Sequence, residues 1–130
     1  MSSLANFVNF GCDNLNALAL DILTSLETKY GQPSCGRNRA AFTSKHCVIK
    51  FPLNFDGLRD NSIESKGYSD GYAAYAKGRK VILGDFNCVV QEKLTMPEKL
   101  QGLPTWVMSI DCCQVGYDSK GRLKAYDFGG

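Results

Sequence analysis

Between Asn14 and Tyr30, six apolar residues (Leu15, Leu18, Ala19, Ile22, Leu23 and Leu26) recur at steps of three and four. That spacing lines one face of an α-helix. Asp13 or Asn14 is placed to cap its start, and Gly31 to end it. The pattern then changes period. Gln32 to Asn38 is rich in Pro, Ser, Gly and Asn and reads as a loop. Ala40 to Phe42 and His46 to Phe51 read as strands about a polar turn at Thr43-Ser44-Lys45, with Pro52 closing the second. Asn54 to Asp60 is turn-like, punctuated by Asp56-Gly57, and Ser62 to Tyr75 carries a short helical signal broken by Gly67 and Gly71.

Lys80 to Gly84 and Asn87 to Glu92 form a hairpin turning at Gly84-Asp85, with Val81, Leu83, Cys88 and Val90 facing inward. Thr95 to Leu103 is polar, and Met96-Pro97-Glu98 suits the first turn of a short helix. Trp106 to Ile110 is apolar. Val115 to Tyr117 and Leu123 to Tyr126 make a closing hairpin over Asp118-Ser119-Lys120-Gly121. The expected class is α+β: one long helix, a mostly antiparallel sheet and short helices. The expected organisation is a single domain over 1–130, with a tail at 1–12, the helix at 13–30 and the sheet region at 31–130.

Composition sharpens this picture in a few places. The 130 residues, 44% hydrophobic and 22% charged, suit one globular domain with its own core. A net charge of +2 with scattered Lys and Arg argues against a nucleic-acid partner. The densest basic stretch, Lys77, Arg79 and Lys80, reads as a solvated strand end rather than a phosphate contact. No apolar run reaches the roughly 20 residues that span a bilayer. Met1 to Gly11 lacks the charged and apolar segments of a secretory leader, so a cytoplasmic location is expected. The six cysteines, at 12, 35, 47, 88, 112 and 113, are then expected to be thiols, Cys47 and Cys88 as small buried hydrophobes. No C-x-x-C pair occurs and His46 is the lone histidine, which argues against a structural zinc. Trp106 reads as a packing aromatic, and Tyr68, Tyr72 and Tyr75, at helical spacing, as packing or a partner-facing surface.

Two features carry candidate chemistry. Lys50 sits inside the apolar run Val48-Ile49-Lys50-Phe51. Either it points to solvent from an edge strand, or it is buried and needs a carboxylate or an anion beside it. The second feature is Asp127-Phe128-Gly129 directly after the closing hairpin.

Together these residues resemble the protein-kinase family, specifically its N-terminal lobe. There a V-A-I-K strand lysine binds nucleotide phosphates and a D-F-G aspartate after a hairpin holds Mg²⁺. The resemblance covers positions 31 to 130 and leaves the N-terminal helix without a counterpart. It implies that Gly36, within Ser34 to Arg39, takes the place of the glycine-rich loop. Glu64 would pair with Lys50, and Glu92 would sit where the last strand enters the hinge. Asp127 and Gln114 would hold Mg²⁺ for Mg²⁺-ATP.

The departures are equally specific. Gly36 lacks repeated glycines around it, and Ser109 stands where the catalytic aspartate belongs. Asp111, displaced by two positions, is then the candidate base. Gln114 replaces asparagine, and the sequence ends three residues after Asp127. The resemblance therefore implies a shortened, degenerate kinase fold. Such chains look similar to small accessory proteins of tailed bacteriophages, which implies binding to a host enzyme to inhibit or redirect it. The long helix and the tyrosine segment are the first candidates for the docking surface. The alternative is a minimal phosphotransferase, or a protein that holds nucleotide without turnover.

Overall fold

The centre of the molecule is a five-stranded antiparallel sheet made of β1 (Ser34–Cys35), β2 (Arg39–Thr43), β3 (Cys47–Pro52), β4 (Gly78–Leu83) and β5 (Phe86–Glu92), in the order β1-β2-β3-β5-β4. The computed structural model describes residues 3–69, 76, 78–95, 97, 102–104 and 115–125. Two α-helices, α1 (Asp13–Tyr30) and α2 (Phe55–Ser69), flank the sheet. A separate two-stranded sheet, β6 (Val115–Tyr117) and β7 (Leu123–Ala125), completes the described part. The class is α+β, as the sequence pattern predicts. No helix among the described residues is long and apolar enough to cross a membrane.

Strand parity divides the sheet into two unlike faces. The pairings Ala40 with Phe51, Phe42 with Ile49 and Ile49 with Val90 put these residues on one face. The core forms there, from Ala40, Phe42, Ile49, Phe51, Phe86 and Cys88, with Ala19 and Leu23 of α1 packed onto it. Phe86 links the rings, lying 5.1 Å from Phe10 and 5.3 Å from Phe51. The opposite face carries Arg39, Lys50, Val89 and Gln91, and α2 packs over strands β3, β4 and β5.

The N-terminal segment is not a tail. Leu4, Val8 and Phe10 belong to the core, and the Asn9 N–H bonds the Leu53 carbonyl at 2.8 Å. A single 3-10 turn (Ser3–Asn6) followed by extended chain is too short to show a period, yet each of its apolar side chains removes surface from water as one in a longer helix would. The α1 boundaries agree with the apolar spacing, and Gly31 ends the helix with φ +89° and its N–H on the Glu27 carbonyl at 2.8 Å. The start differs. Cys12 is the capping residue and offers no side-chain bond, while Asn16 turns back so that its Oδ1 accepts from the Phe10 N–H at 2.7 Å. Because α1 closes the core, its buried stripe is not a free docking surface.

The segment from Ser34 to Arg39 is a tight hairpin turn rather than an open loop. Ser34 and Cys35 pair with Ala41 and Ala40, and the Gly36 N–H bonds the Arg39 carbonyl at 2.9 Å. The larger correction concerns α2, which begins at Phe55, inside the stretch whose Asp-Gly pair signals a turn. Asn54 is its cap, with Oδ1 accepting from the Gly57 N–H at 2.8 Å and Nδ2 donating to Asn38 Oδ1 at 3.2 Å. Gly57 is required for a different reason. A Cβ there would overlap the Asn38 carbonyl oxygen and lie 3.1 Å from Pro52 Cα. Glycine lets the helix approach the β2–β3 strands closely.

The hairpin of β4 and β5 turns at Gly84-Asp85 as the alternation predicts, in unbroken register from Gly78 with Gln91 to Leu83 with Phe86. Leu83, Cys88 and Val90 all pack with the core. The second sheet is tied to the first through Thr95 and Tyr117, which exchange two backbone bonds of 2.8 and 2.7 Å. The segments around Trp106, Tyr72, Tyr75 and the Cys112-Cys113 pair lie outside the described residues.

In an open helix interior, Gly57→Ala would stabilise by up to about 1 kcal/mol through propensity. Here it is expected to destabilise by about 1–3 kcal/mol through overpacking against the Asn38 carbonyl. Urea denaturation of the two proteins reads the sign directly.

Candidate functional site

The face of the sheet under α2 holds a cluster of charged and amide side chains. β3 is a central strand, not an edge, so Lys50 points into the interior and is 6% exposed. An ammonium buried there needs a counter-charge. Its Nζ donates to Glu64 Oε1 at 2.7 Å, on the helix that follows the strand. Glu64 Oε2 meets the guanidinium of Arg39, at the start of β2. One carboxylate thus bridges two cations, with side-chain exposures of 10% for Arg39, 7% for Lys50 and 1% for Glu64.

Amides extend the cluster along the helix. Arg39 also donates to Asn61 Oδ1 at 3.1 Å. The Asn61 amide donates to the backbone carbonyls of Asn87, at 2.8 Å, and Lys50, at 3.3 Å, so one side chain ties α2 to β3 and β5. Asp60 accepts from Asn38 Nδ2 at 3.2 Å. Gly57, Asp60, Asn61 and Glu64 are all buried, at the helical spacing that normally carries apolar residues, while Phe55 and Ile63 are exposed. The inward stripe of α2 is therefore polar. Replacing a buried charge cluster by packed apolar side chains is often neutral or stabilising, so cohesion alone does not account for it.

A second charged cluster fastens the β6–β7 hairpin to the end of the main sheet. Lys124 Nζ lies 3.1 Å from Glu92 Oε2 and 3.1 Å from Asp118 Oδ2, and both lysine and aspartate side chains are buried. Asp118 also accepts from the backbone N–H groups of Arg122, at 2.8 Å, and Lys120, at 2.9 Å, and from Arg122 Nε at 2.9 Å. The Arg122 N–H bond above all holds its carboxyl well below the usual carboxylate range, aided by Lys124, the Arg122 side chain and the Lys120 N–H, against the opposing effect of burial.

The structure thus separates the candidate residues. Lys50 and Glu64 come together, at 2.7 Å, in the pairing that the kinase resemblance implies. Glu92 is placed elsewhere: its neighbour in the ladder is Cys47, which puts it on the opposite parity to Lys50, and its carboxylate engages Lys124. Gly36 lies in the β1–β2 turn, where a Cβ would find only the Arg39 carbonyl oxygen at 3.8 Å, so nothing in the space around it demands glycine. Ser109, Asp111, Gln114 and Asp127 lie outside the described residues. Among the described residues, no three His, Cys, Asp or Glu side chains converge as metal ligands.

Sequence reasoning missed Arg39, Asn61, Asp118 and Lys124. The signal available for Asn61 was the 57-60-61-64 spacing, legible only to a search that admits polar residues on the inner face of a helix, whereas Arg39, at the start of β2, carried no such signal. Burial also pushes the Cys88 thiol up to about 12, against a backbone hydrogen bond to Leu83 that lowers it, which leaves it a neutral core side chain at physiological pH. Compared with protein-family models, with curated proteins and with solved structures, the chain gives no match.

Two outcomes follow from this geometry. Glu64→Gln leaves two buried cations without their shared carboxylate and is expected to cost about 3–5 kcal/mol. Lys50→Met leaves Glu64 on Arg39 and is expected to cost about 1–2 kcal/mol, a ranking that denaturant melts will check. The second concerns acid. The folded-state value of Asp118 is depressed, so its contribution is complete above the unfolded value of about 4 and is lost as pH falls below it. The melting temperature of the parent protein should therefore fall toward that of Asp118→Asn as pH is lowered from about 5 to 2. A difference that stays constant over that range contradicts the assignment.

Proposed function

We propose that this chain is a degenerate domain resembling the N-terminal lobe of a protein kinase, whose role is to bind another protein and modulate it. The observation that carries this reading is the state of Glu64. The strand lysine and helix glutamate that a kinase uses to position phosphates are paired here, but Arg39 holds the second carboxylate oxygen. Lys50 is almost fully enclosed, so the ion pair acts as an internal brace of the lobe and not as an open phosphate site. Ser109 at the position of the catalytic aspartate supports the same reading, since a hydroxyl without a carboxylate cannot take the substrate proton. The resemblance to phage accessory proteins suggests a host enzyme as the partner, and cytoplasm as the place of encounter.

One observation favours the alternative, retention of Mg²⁺-ATP without efficient transfer. A polar stripe this expensive to bury is the kind of local inconsistency that functional sites carry. In that reading Lys50 would exchange part of its contact with Glu64 for a phosphate oxygen. Asp127 and Gln114 would take the metal, and Asp111 would be a displaced base in a minimal phosphotransferase.

Thermal denaturation with and without Mg²⁺-ATP separates the two. The protein-binding reading expects no saturable rise in melting temperature. Occupancy at a hundredfold excess over Kd would add about 2.7 kcal/mol, which is easily seen. A saturable rise that disappears in both Lys50→Met and Asp127→Asn overturns the reading in favour of a nucleotide site.

A further inference from the structure

The outermost strand of the main sheet, β4, has β5 as its one strand neighbour among the described residues. We infer that this edge is a docking site for an extended, acidic segment of a partner protein, which adds to the sheet as a further strand. The inference rests on the protein-binding reading above and gives that reading a location.

The backbone geometry comes first. Leu83 and Phe86 flank a two-residue turn in which Gly84 has φ +59°, so Leu83 and Phe86 form the hydrogen-bonded pair that closes it. Hydrogen-bonded and non-hydrogen-bonded pairs alternate along an antiparallel ladder. Val81 and Arg79 therefore bond to β5, and the N–H and C=O groups of Ile82 and Lys80 aim away from it. The register over all six pairs is unbroken, so no bulge turns the edge aside. A straight edge with outward amide groups is a template for strand addition.

Side chains then select the partner. Arg79 and Lys80 are both exposed, and neither is in an ion pair with a described residue. As neighbours on a strand they project to opposite faces, so an added strand meets a cation on each side. Ile82 is 61% exposed, the most exposed large apolar side chain among the described residues, and sits between them and the turn. Lysines on an edge commonly guard it against other edges. Here the guard is incomplete, because Ile82 offers a contact to a β-branched neighbour while the cations repel basic strands and admit acidic ones. A second copy of this chain would bring the same two cations and is disfavoured for that reason.

The test uses a fluorescein-labelled octapeptide alternating glutamate and valine, titrated into the full chain and followed by anisotropy. The expected result is saturable binding that weakens as salt rises. An octapeptide alternating lysine and valine should not bind. The double variant Arg79→Glu/Lys80→Glu should weaken binding of the acidic peptide by about tenfold or more. Ile82→Pro removes an outward N–H that the β4–β5 ladder does not use, so it should keep the parent melting temperature and lose the peptide.

The inference is overturned if the acidic peptide shows no saturable binding to the parent chain, or binds the charge-reversed variant equally well. A dimer in sedimentation that Ile82→Pro dissolves would assign the edge to a second copy, and displacement of the peptide by oligothymidylate would assign it to a nucleic acid. Nucleotide binding is read separately. Failure of the peptide with no Mg²⁺-ATP response removes this edge but leaves the protein-binding reading, whereas an Mg²⁺-ATP response removes that reading itself.

Discussion

A carboxylate that is almost fully enclosed must be neutralised where it sits, and Glu64 is neutralised twice, by Lys50 from one strand and Arg39 from its neighbour. This requirement sets much else in the fold. The two cations project from the same face of β2 and β3, so α2 must cross that face with Glu64 directed inward. To come that close, the helix presents Gly57 to the Asn38 carbonyl, and Asn61 satisfies backbone carbonyls of two strands. Asn54 and Asn38 fasten the start of the helix to the same corner. Lost geometry at any one of these positions would leave charge in a low-dielectric interior without its partner.

The sheet thereby becomes a partition between two kinds of interior. On one side, α1 and the first ten residues close an apolar core around Phe10, Phe42, Phe51 and Phe86. On the other, α2 closes a polar one. The apolar side supplies cohesion through area removed from water, which tolerates modest changes of shape. The polar side adds directional bonds that admit few alternatives, and it fixes the register of helix against strand. The Lys50–Glu64 ion pair is committed to this internal task.

What the sequence made legible follows from which signals are strong. The apolar spacing from Leu15 to Leu26 defines α1, and the Gly84-Asp85 turn between alternating strands defines the β4–β5 hairpin, because in both cases side chains face a uniform apolar core. The closing hairpin over Asp118 to Gly121 was equally readable. Of α2, only the second half, from Ser62, gave a helical signal; the first half did not, since hydrophobic periodicity is blind to a stripe of glycine, aspartate, asparagine and glutamate, and Asp56-Gly57 looks like a turn until a close approach explains the glycine. The first twelve residues read as a tail because they have no period, although Leu4, Val8 and Phe10 are core. Lys50 was ambiguous on its own, and its central strand and partner emerge only in three dimensions. Glu92 was assigned by its place in a resemblance, and the pairing with Lys124 depends on a contact across the chain that spacing does not encode.

The strand order carries a consequence for how the chain reaches this state. β1, β2 and β3 succeed one another and pair in sequence, as do β4 and β5, so each group closes only short loops. The pairing of Cys47 with Glu92 and Lys50 with Val89 is different, because the whole of α2 lies between the partners. The loop-closure entropy of the main sheet is thus concentrated in a single event, the joining of β3 to β5. That same event brings Asn61 to the Asn87 carbonyl. The contact that seals the polar interior is therefore also the one that joins the two locally paired groups of strands.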